Sequence, residues 1–442
     1  MTYEETLKKI HSFERFGSRL GLERMNVLMH MLGDPQNYLK VIHVAGTNGK
    51  GSVCRYLYSV LQENGYKTGL YTSPYLERFT ERIVFDGKEI SGDDLARIAE
   101  KVFAAVDQML AEGHESPTEF EVVTAIAFCY FAEQPIDYVV LEVGLGGIGD
   151  STNVVPAPLL SVITSIALDH TNVLGRRLEW IAEEKAGIIK HGCPVLVNIK
   201  DKKAKETVKK IAKKQTAEFF DASSWSFSNV DKSLDGYRFD LKRPKAFGGD
   251  SVSVSLSMMG MHQVENALTA MAALDILQKN ESVQLDPAKV LSGMKAAVQP
   301  GRFEILRKDP YVIIDGAHNP NGAAALEETL EDLFRYKKVL VITGILQDKD
   351  GMGLVECFSR MSNYVVATEP NNPRKLDSVA LANLYRRNFR ECEDISDWKD
   401  ACRYAQENMD YFDAILFAGS LYLIGDVRGA WDHDTGKGFT GL

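Results

Sequence analysis

A chain of 442 residues is too long for one compact core, so its length alone predicts two domains. Hydrophobic residues make up 45% of the chain and charged residues 25%, which is typical of a globular protein in water. The formal net charge of −10 argues against a nucleic acid or an anionic membrane as partner, because either requires a basic face.

The N-terminal sequence and the cysteines indicate a cytoplasmic protein. The first residues, MTYEETLKKIHSFERF, mix both charge signs and lack the apolar segment of a signal peptide. No apolar run approaches the roughly 18 residues that cross a bilayer. The six cysteines are scattered without a CxxC pair, which favours reduced thiols over disulfides or a zinc site.

Short apolar runs alternate with amphipathic stretches, a pattern typical of a mostly parallel α/β sheet. The predicted elements are, in order, a strand over 39–46, a helix from about 49 to 64, a strand over 68–72, helices around 93–111 and 117–132, and strands over 137–144 and 160–166. Between about 200 and 258, a Lys-rich helix precedes the alternating segments GYRFDLKR and SVSVSLSM. This alternation predicts an antiparallel patch appended to the parallel sheet.

A second, smaller α/β unit is predicted after Pro300-Gly301, which interrupts a helical pattern. Its strands are expected over 311–319, 338–345, 364–370 and 413–420. We therefore predict a larger domain over 1–298 and a smaller, Rossmann-like α/β domain over 299–442.

A glycine-rich segment between a predicted strand and a predicted helix indicates a phosphate-binding loop. The segment is Gly46, Thr47, Asn48, Gly49, Lys50, Gly51 and Ser52. Small residues let the backbone wrap around an anion, helix N-terminal N–H groups point at it, and Lys50 supplies a positive charge. The strict P-loop pattern fails, because Val44 stands where its first glycine belongs and Gly51 follows the lysine. A glycine-rich turn with an exposed lysine is the alternative.

The segment GTNGKGS resembles the phosphate loop of the folylpolyglutamate synthase and dihydrofolate synthase family, which is related to the Mur peptide ligases. Further matches follow in the family's order over nearly the whole chain. They are YTSPYLERFTERI, TEFE, EVGLGG with DSTNV, LDH, EEKAGIIK, HQVENA, PGRFE, DGAHNP, GILQDKD and AGSLYL.

The resemblance implies a ligase that uses ATP and Mg²⁺ to join glutamate to a folate carboxylate through an acyl phosphate. It implies Mg²⁺ ligands at Ser73, Glu142 and His170, of which Glu142 lies at the C-terminal end of a predicted strand, the sheet edge where ligands bind. Taken singly, these residues also fit a turn serine, a solvated carboxylate and a buried histidine. The resemblance further implies that Lys185 is carbamylated, and a monovalent cation remains a candidate cofactor.

Roles for residues in the later part of the chain rest on the same resemblance. It implies that Asn266 contacts adenine, that Arg302 and Asp315 contact the nucleotide, and that His318 and Ser420 lie near the incoming glutamate. Lys50, Glu142, His170, Lys185 and His318 are the expected catalytic residues. Asp315 also fits a helix N-cap.

The folate site is expected around 73–83 and 118–121, where an aromatic pterin needs apolar walls. Phe120 is a candidate wall, together with Tyr75 and Phe79, and Arg82 a candidate partner for a carboxylate. The expected partners are therefore folate, L-glutamate and ATP, with no nucleic acid or membrane, bound by a monomer.

One departure from the family pattern concerns Ile148-Gly149, which stand where the family often has an arginine and an apolar residue. Folylpolyglutamate synthesis is therefore the first functional hypothesis, and a bifunctional enzyme that also uses dihydropteroate is the second. A Mur-type cell-wall ligase and a nucleotide-binding module without catalysis are weaker alternatives.

Overall fold

The computed structural model describes residues 1–13, 21–169, 174–175, 177–242, 251–335, 337–388, 391–433, 436 and 438–440. The chain divides into two compact units. The first comprises Met1–Ser228, Asp240–Ser255 and Glu265–Ala297, and the second comprises Asn229–Phe239, Leu256–Val264 and Val298–Leu442. The second unit thus includes two short segments that precede residue 298.

The first unit contains an eight-stranded sheet with strand order β4-β3-β2-β5-β1-β6-β7-β8. The strands are β1 Val41–Ala45, β2 Thr68–Tyr71, β3 Ile83–Phe85, β4 Lys88–Glu89, β5 Tyr138–Glu142, β6 Leu160–Ile163, β7 Val195–Val197 and β8 Phe219–Asp221. The pairs from β2 to β8 are parallel, whereas β3 and β4 pair antiparallel at one edge. The predicted mostly parallel sheet is therefore confirmed.

Helices bury their apolar faces against this sheet and against one another. They are α1 Tyr3–His11, α2 Glu23–Met31, α3 Lys50–Glu63, α4 Gly92–Ala111, α5 Glu119–Ala132, α6 Leu178–Ala186, α7 Lys202–Lys214, α8 Met261–Lys279 and α9 Pro287–Ala296. Helices α1 and α2 were not predicted from the sequence, and their side chains Ile10, Met25 and Leu28 join the core with α4 and α5.

The segment predicted as an antiparallel patch forms a separate three-stranded sheet, in the order β11-β10-β9. Its strands are β9 Ser226–Ser233, β10 Gly236–Lys242 and β11 Ser251–Leu256. Because only residues 234 and 235 connect β9 to β10, these strands form a hairpin. The predicted antiparallel patch is thus present, but its strands pair with one another instead of being appended to the parallel sheet.

The second unit contains a six-stranded sheet with strand order β12-β13-β17-β14-β15-β16. The strands are β12 Glu304–Lys308, β13 Tyr311–Asp315, β14 Val339–Thr343, β15 Tyr364–Glu369, β16 Cys392–Asp397 and β17 Ala414–Ala418. Only β12 pairs antiparallel, and the four pairs from β13 to β16 are parallel. This sheet confirms the predicted α/β character of the C-terminal part.

The helices of the second unit follow its strands in the alternation that the sequence predicts. They are α10 Pro320–Phe334, α11 Gly351–Met361, α12 Ser378–Arg387, α13 Trp398–Glu407 and α14 Leu421–Ala430. Among the helices described for the whole chain, none combines the length and the apolar character that a membrane span needs.

Candidate active site

The glycine-rich loop lies between β1 and α3, at the carboxyl edge of the first sheet. Gly46 follows β1 with φ of 155°, and a Cβ atom there would lie 1.8 Å from Oγ1 of Thr164. Gly49 precedes α3 with φ of 84°, in the left-handed region. Both positions therefore require glycine, the first because of close packing and the second because of its backbone conformation.

The loop is fixed by hydrogen bonds to the chain segment that follows β6. The backbone N–H of Thr47 donates to the carbonyl of Ser165 at 2.7 Å, and the N–H of Asn48 donates to Ser165 Oγ at 3.0 Å. Thr164 Oγ1 donates to the carbonyl of Asn48 at 2.7 Å. These bonds fix the loop's path without using the backbone N–H groups at the start of α3, which favours binding of an anion there.

Two lysines converge on the first residues of the loop. Lys50 Nζ donates to the carbonyl oxygens of Gly46 at 3.1 Å and Thr47 at 3.2 Å. Lys185, near the end of α6, donates from Nζ to the same Gly46 carbonyl at 2.8 Å. The sequence separates these lysines by more than a hundred residues, yet the fold places both ammonium groups on one backbone carbonyl.

Burial changes the chemistry of Lys185, whose residue is only 4% exposed. Desolvation and the neighbouring charge of Lys50 lower the pKa of the Lys185 amine from 10.5 to about 7. Nearby carboxylates of Asp169, Asp150 and Glu184 oppose this shift without cancelling it. A substantial fraction of Lys185 is therefore a neutral, nucleophilic amine near neutral pH.

We expect Lys185→Met to raise the unfolding temperature by several degrees below pH 7. Below the folded-state pKa of about 7, the folded protein holds a buried charge that costs stability. Between pH 7 and 10.5 only the unfolded chain holds that proton, so the cost falls with rising pH and the gain from the substitution shrinks. Calorimetry at pH 6 and pH 10, in buffer purged of carbon dioxide, measures this difference. The exposed Lys209→Met is the control, and an equal gain at both pH values would contradict the prediction.

Asn266, on α8, lies against the phosphate loop. A Cβ atom added to Gly49 would lie 2.3 Å from its Oδ1 atom, so the side-chain amide packs directly on the residue that precedes α3. The predicted adenine-contacting asparagine and the phosphate loop are thus brought together within the first unit. Their proximity is what a single nucleotide site requires.

Ser73 and Glu142 also meet at this edge of the sheet. Glu142 is the last residue of β5 and pairs in register with Val44 of β1, two residues before Gly46. The Ser73 backbone N–H donates to Glu142 Oε2 at 3.3 Å, and the Glu142 residue is 5% exposed. A buried carboxylate beside a serine fits Mg²⁺, which prefers oxygen ligands and binds through one or two protein groups plus phosphate oxygens.

The third predicted magnesium ligand, His170, lies outside the described residues. Within the described ranges, no cluster of three or more His, Cys, Asp or Glu side chains has the arrangement of a metal site. Ser73 and Glu142 alone therefore represent the proposed magnesium site in this structure.

The candidate folate residues lie on the β2 and β5 side of the sheet. Phe120 lies in the first turn of α5, and its ring contacts Gly144, where a Cβ atom would lie 2.5 Å from Cζ of the ring. Arg82 is half-buried, with its guanidinium carbon 5.1 Å from the ring centroid of Tyr75 and 5.4 Å from that of Phe79. Its Nε atom is buried and makes no hydrogen bond to any residue that the structure describes. The predicted role of Arg82 as the partner of a folate carboxylate stays a prediction.

The residues predicted in the second unit gather at the carboxyl edge of its sheet. Asp315 ends β13 and pairs with Ala418 of β17, two residues before Ser420. Asp315 accepts backbone N–H groups of Phe303 at 2.7 Å and Ala317 at 2.8 Å, and burial raises the pKa of its carboxyl group. Both carboxylate oxygens of Asp315 therefore accept a backbone N–H group. The alternative role of Asp315 as a helix N-cap was wrong, because Asn319 is the N-cap of α10.

Arg302, His318 and Ser420 lie around Asp315 in this unit. Arg302 Nη1 would be 2.7 Å from a Cβ atom on Gly316, the residue after Asp315. His318 Nδ1 lies 2.9 Å from the Gly316 carbonyl and donates to it, which defines the ring's tautomer. Ser420 is the N-cap of α14 and accepts from the N–H of Tyr422 at 3.2 Å.

Residues that hydrogen-bond to the backbone of the site's loops were not predicted from the sequence. Thr164 and Ser165 fix the phosphate loop, and Asp150 accepts the backbone N–H of Leu145 at 2.8 Å. Thr164 and Ser165 could have been predicted as site residues, because they are short polar residues that directly follow a buried strand. Asp150 stood within the quoted DSTNV motif, but only the fold reveals its burial.

Comparison with protein families assigns both parts of the chain. Residues 44–274 match the Mur ligase middle domain, and residues 301–421 match the Mur ligase glutamate ligase domain. The chain is 35% identical over 431 residues to the dihydrofolate synthase/folylpolyglutamate synthase of Bacillus subtilis, covering 96% of this chain and 98% of that protein.

Solved structures agree with the sequence comparison. Folylpolyglutamate synthase of Mycobacterium tuberculosis complexed with ADP and AMPPCP superposes with a TM-score of 0.88 at 32% identity, covering 97% of this chain and 98% of that one. A folylpolyglutamate synthase (FPGS) complexed with AMPPCP and folate gives a TM-score of 0.83 at 32% identity, covering 97% and 99%. The chain belongs to the folylpolyglutamate synthase and dihydrofolate synthase family of Mur ligases.

Proposed function

We propose that this chain is an ATP-dependent ligase that adds L-glutamate to the γ-carboxylate of tetrahydrofolate and its polyglutamates. The main structural support is the edge of the first sheet, where the phosphate loop, Lys50, Lys185, Asn266 and Glu142 converge. Relatives of nearly the same length carry this activity in their names, and related structures hold ATP analogues and folate.

In the first half-reaction, an oxygen of the folate γ-carboxylate forms a bond to the γ-phosphorus of ATP while the bond to ADP breaks. We assign the loop of Gly46, Thr47, Asn48, Gly49, Lys50, Gly51 and Ser52 to the phosphates, which would accept from the backbone N–H groups at the start of α3, and we assign Asn266 to adenine. Lys50 neutralises charge that spreads over the phosphate oxygens. Ser73 and Glu142, together with His170, would hold Mg²⁺, which supplies Lewis-acid stabilisation of those oxygens when bound.

In the second half-reaction, the amine of free glutamate attacks the carbonyl carbon of the acyl phosphate. The amide bond forms, phosphate leaves and one proton is released. We assign Arg302 and Asp315 to the nucleotide, and His318 and Ser420 to the incoming glutamate. Phe120 and Arg82 are assigned to the folate, as apolar wall and carboxylate partner.

Lys185 is proposed to act as a carbamate. Its neutral amine attacks carbon dioxide, an N–C bond forms and a proton leaves, so that a cation becomes an anion. The pKa of about 7 supports this step, because an ordinary lysine is almost entirely protonated at neutral pH. A negative group beside the phosphate loop would then assist magnesium binding rather than oppose it.

The test is a ligation assay with labelled glutamate and ATP, offering tetrahydrofolate in one reaction and dihydropteroate in another. Mass spectrometry is expected to show tetrahydrofolate extended by glutamate, with one ADP and one phosphate per amide bond. ATP hydrolysis without incorporation of glutamate would refute the proposal.

The dihydropteroate reaction decides whether the chain is bifunctional. The name of the Bacillus subtilis relative favours this second activity. Ile148 lacks the positive charge that the family often has at this position, and its side chain is exposed. Glutamate incorporation from tetrahydrofolate alone would establish the narrower function.

A further inference from the structure

A histidine on the central strand β1 lies at the start of a buried hydrogen-bond chain. His43 and Thr152 are fully buried, and His43 Nε2 lies 2.8 Å from Thr152 Oγ1. Thr152 Oγ1 donates in turn to Asp150 Oδ1 at 2.5 Å. The chain therefore connects the strand that carries the phosphate loop to the residues at 150–153.

The direction of these bonds defines the tautomer of His43. Thr152 has one hydroxyl hydrogen, and because that hydrogen goes to Asp150, its oxygen must accept from the imidazole. Nε2 of His43 is therefore the protonated nitrogen. Nδ1 is buried and has no hydrogen-bond partner in the described part of the chain, which agrees with a bare nitrogen.

The turn at residues 150–153 supports the glycine-rich segment that follows Glu142. Asp150 Oδ2 accepts the Leu145 N–H at 2.8 Å. The side-chain amide of Asn153 donates to the Ile148 carbonyl at 3.0 Å and the Gly187 carbonyl at 3.1 Å. This turn thus binds both the 144–148 segment and the residue that follows α6.

The 144–148 segment in turn contacts the backbone of Lys185. The Ile148 N–H donates to the Glu184 carbonyl at 2.9 Å. A Cβ atom on Gly147 would lie 2.9 Å from the Lys185 Cα atom and 2.4 Å from the Glu184 carbonyl oxygen. Small shifts of this segment therefore displace the helix end that carries the Lys185 amine.

We propose that His43 is a positioning residue for the ligase reaction: its Nε2–H orients Thr152 and Asp150, which hold the 144–148 segment against Lys185. The inference rests on the proposed ligase function. His43 itself is fully buried in the sheet, so it acts through Thr152 and not on the substrate. A leucine would fill its place on a central strand without leaving a buried nitrogen unpaired, so stability alone does not explain an imidazole here.

The test compares His43→Leu, which removes the donor, with His43→Gln, whose Nε2 atom replaces the ring donor. We expect kcat to fall about tenfold in His43→Leu, as for residues that orient ligands through a hydrogen bond, with KM for ATP within about twofold. His43→Gln should recover kcat to within about threefold of the parent. Equal losses in both variants, or none in His43→Leu, would overturn the inference.

A second pair of variants decides the matter if His43→Leu does not fold. Thr152→Val removes the hydroxyl relay and leaves His43 in place, whereas Thr152→Ser keeps the hydroxyl. Only Thr152→Val should lose kcat, and parent-like turnover in it would overturn the inference.

Ring ¹⁵N spectra provide a readout that does not depend on turnover. The signal that disappears in His43→Gln should be that of a neutral ring protonated at Nε2, and a ring protonated at Nδ1 would contradict the relay. If the parent itself makes no amide product, the proposed function fails. If the parent makes the product but the kcat values of the variants differ from those expected, only the inference about His43 fails.

Discussion

Lys50→Met is expected to reduce ATP-dependent glutamate ligation by at least about a hundredfold, the typical loss when one preorganised charge-stabilising group is removed. Lys50 is the first residue of α3, and its Nζ lies within hydrogen-bond distance of two carbonyls of the phosphate loop. Methionine keeps most of the aliphatic stem and removes only the charge. The loss should therefore appear in kcat, measured as ADP and amide product in the presence of folate and glutamate.

The control for this substitution is Lys209→Met, which removes the charge of an exposed lysine on α7, outside the phosphate loop. Its turnover should equal that of the parent. Lys50→Met should also raise the pKa of Lys185, since the charge of Lys50 helps to lower it. Full turnover in Lys50→Met would exclude the loop at 46–52 as the triphosphate site.

Glu142→Gln is expected to lower kcat by about a hundredfold or more if Glu142 holds Mg²⁺ as proposed. Loss of a metal ligand should cost more than the tenfold to hundredfold that is typical when a residue supporting such a ligand is lost. Glutamine has nearly the same volume and still accepts the Ser73 N–H, so the fold should survive. The charge is lost, and with it the attraction for Mg²⁺. Turnover measured over a range of Mg²⁺ concentrations should show an increased requirement for the metal.

Glu218→Gln is the matched control for this prediction, because Glu218 is exposed and precedes β8 on the same sheet. Its magnesium dependence should match that of the parent. An unchanged magnesium dependence in Glu142→Gln would remove Glu142 from the proposed metal site, even if turnover fell for another reason.

The phosphate loop was predictable because its signals are local. A buried strand, a glycine-rich turn and a helix start within fourteen residues, from Val41 to Cys54, and all three are found where expected. Strand ends were less predictable: the segment 137–144 forms a strand only over Tyr138–Glu142. The apolar run continues past the strand because Val143, the residue after it, is also buried.

The pairings across the site could not be derived from composition or periodicity. Three contacts join segments that lie far apart in the sequence. They are the hydrogen bond from Lys185 to Gly46, the packing of Asn266 on Gly49, and the pairing of Glu142 with Val44. Family resemblance placed these residues in one site, but not their contacts. The separate sheet of β9, β10 and β11 shows the same limit, since alternation predicts strands but not their neighbours.

The packing of Gly46 on Thr164 has a consequence for protein engineering. The backbone conformation of the phosphate loop depends on contacts with Thr164 and Ser165, which follow the neighbouring strand β6. Grafting GTNGKGS into a foreign scaffold should therefore transfer little nucleotide affinity. A graft that is to bind nucleotide should also include Ile163, Thr164 and Ser165 at the end of the neighbouring strand, because Thr164 and Ser165 hold the loop backbone.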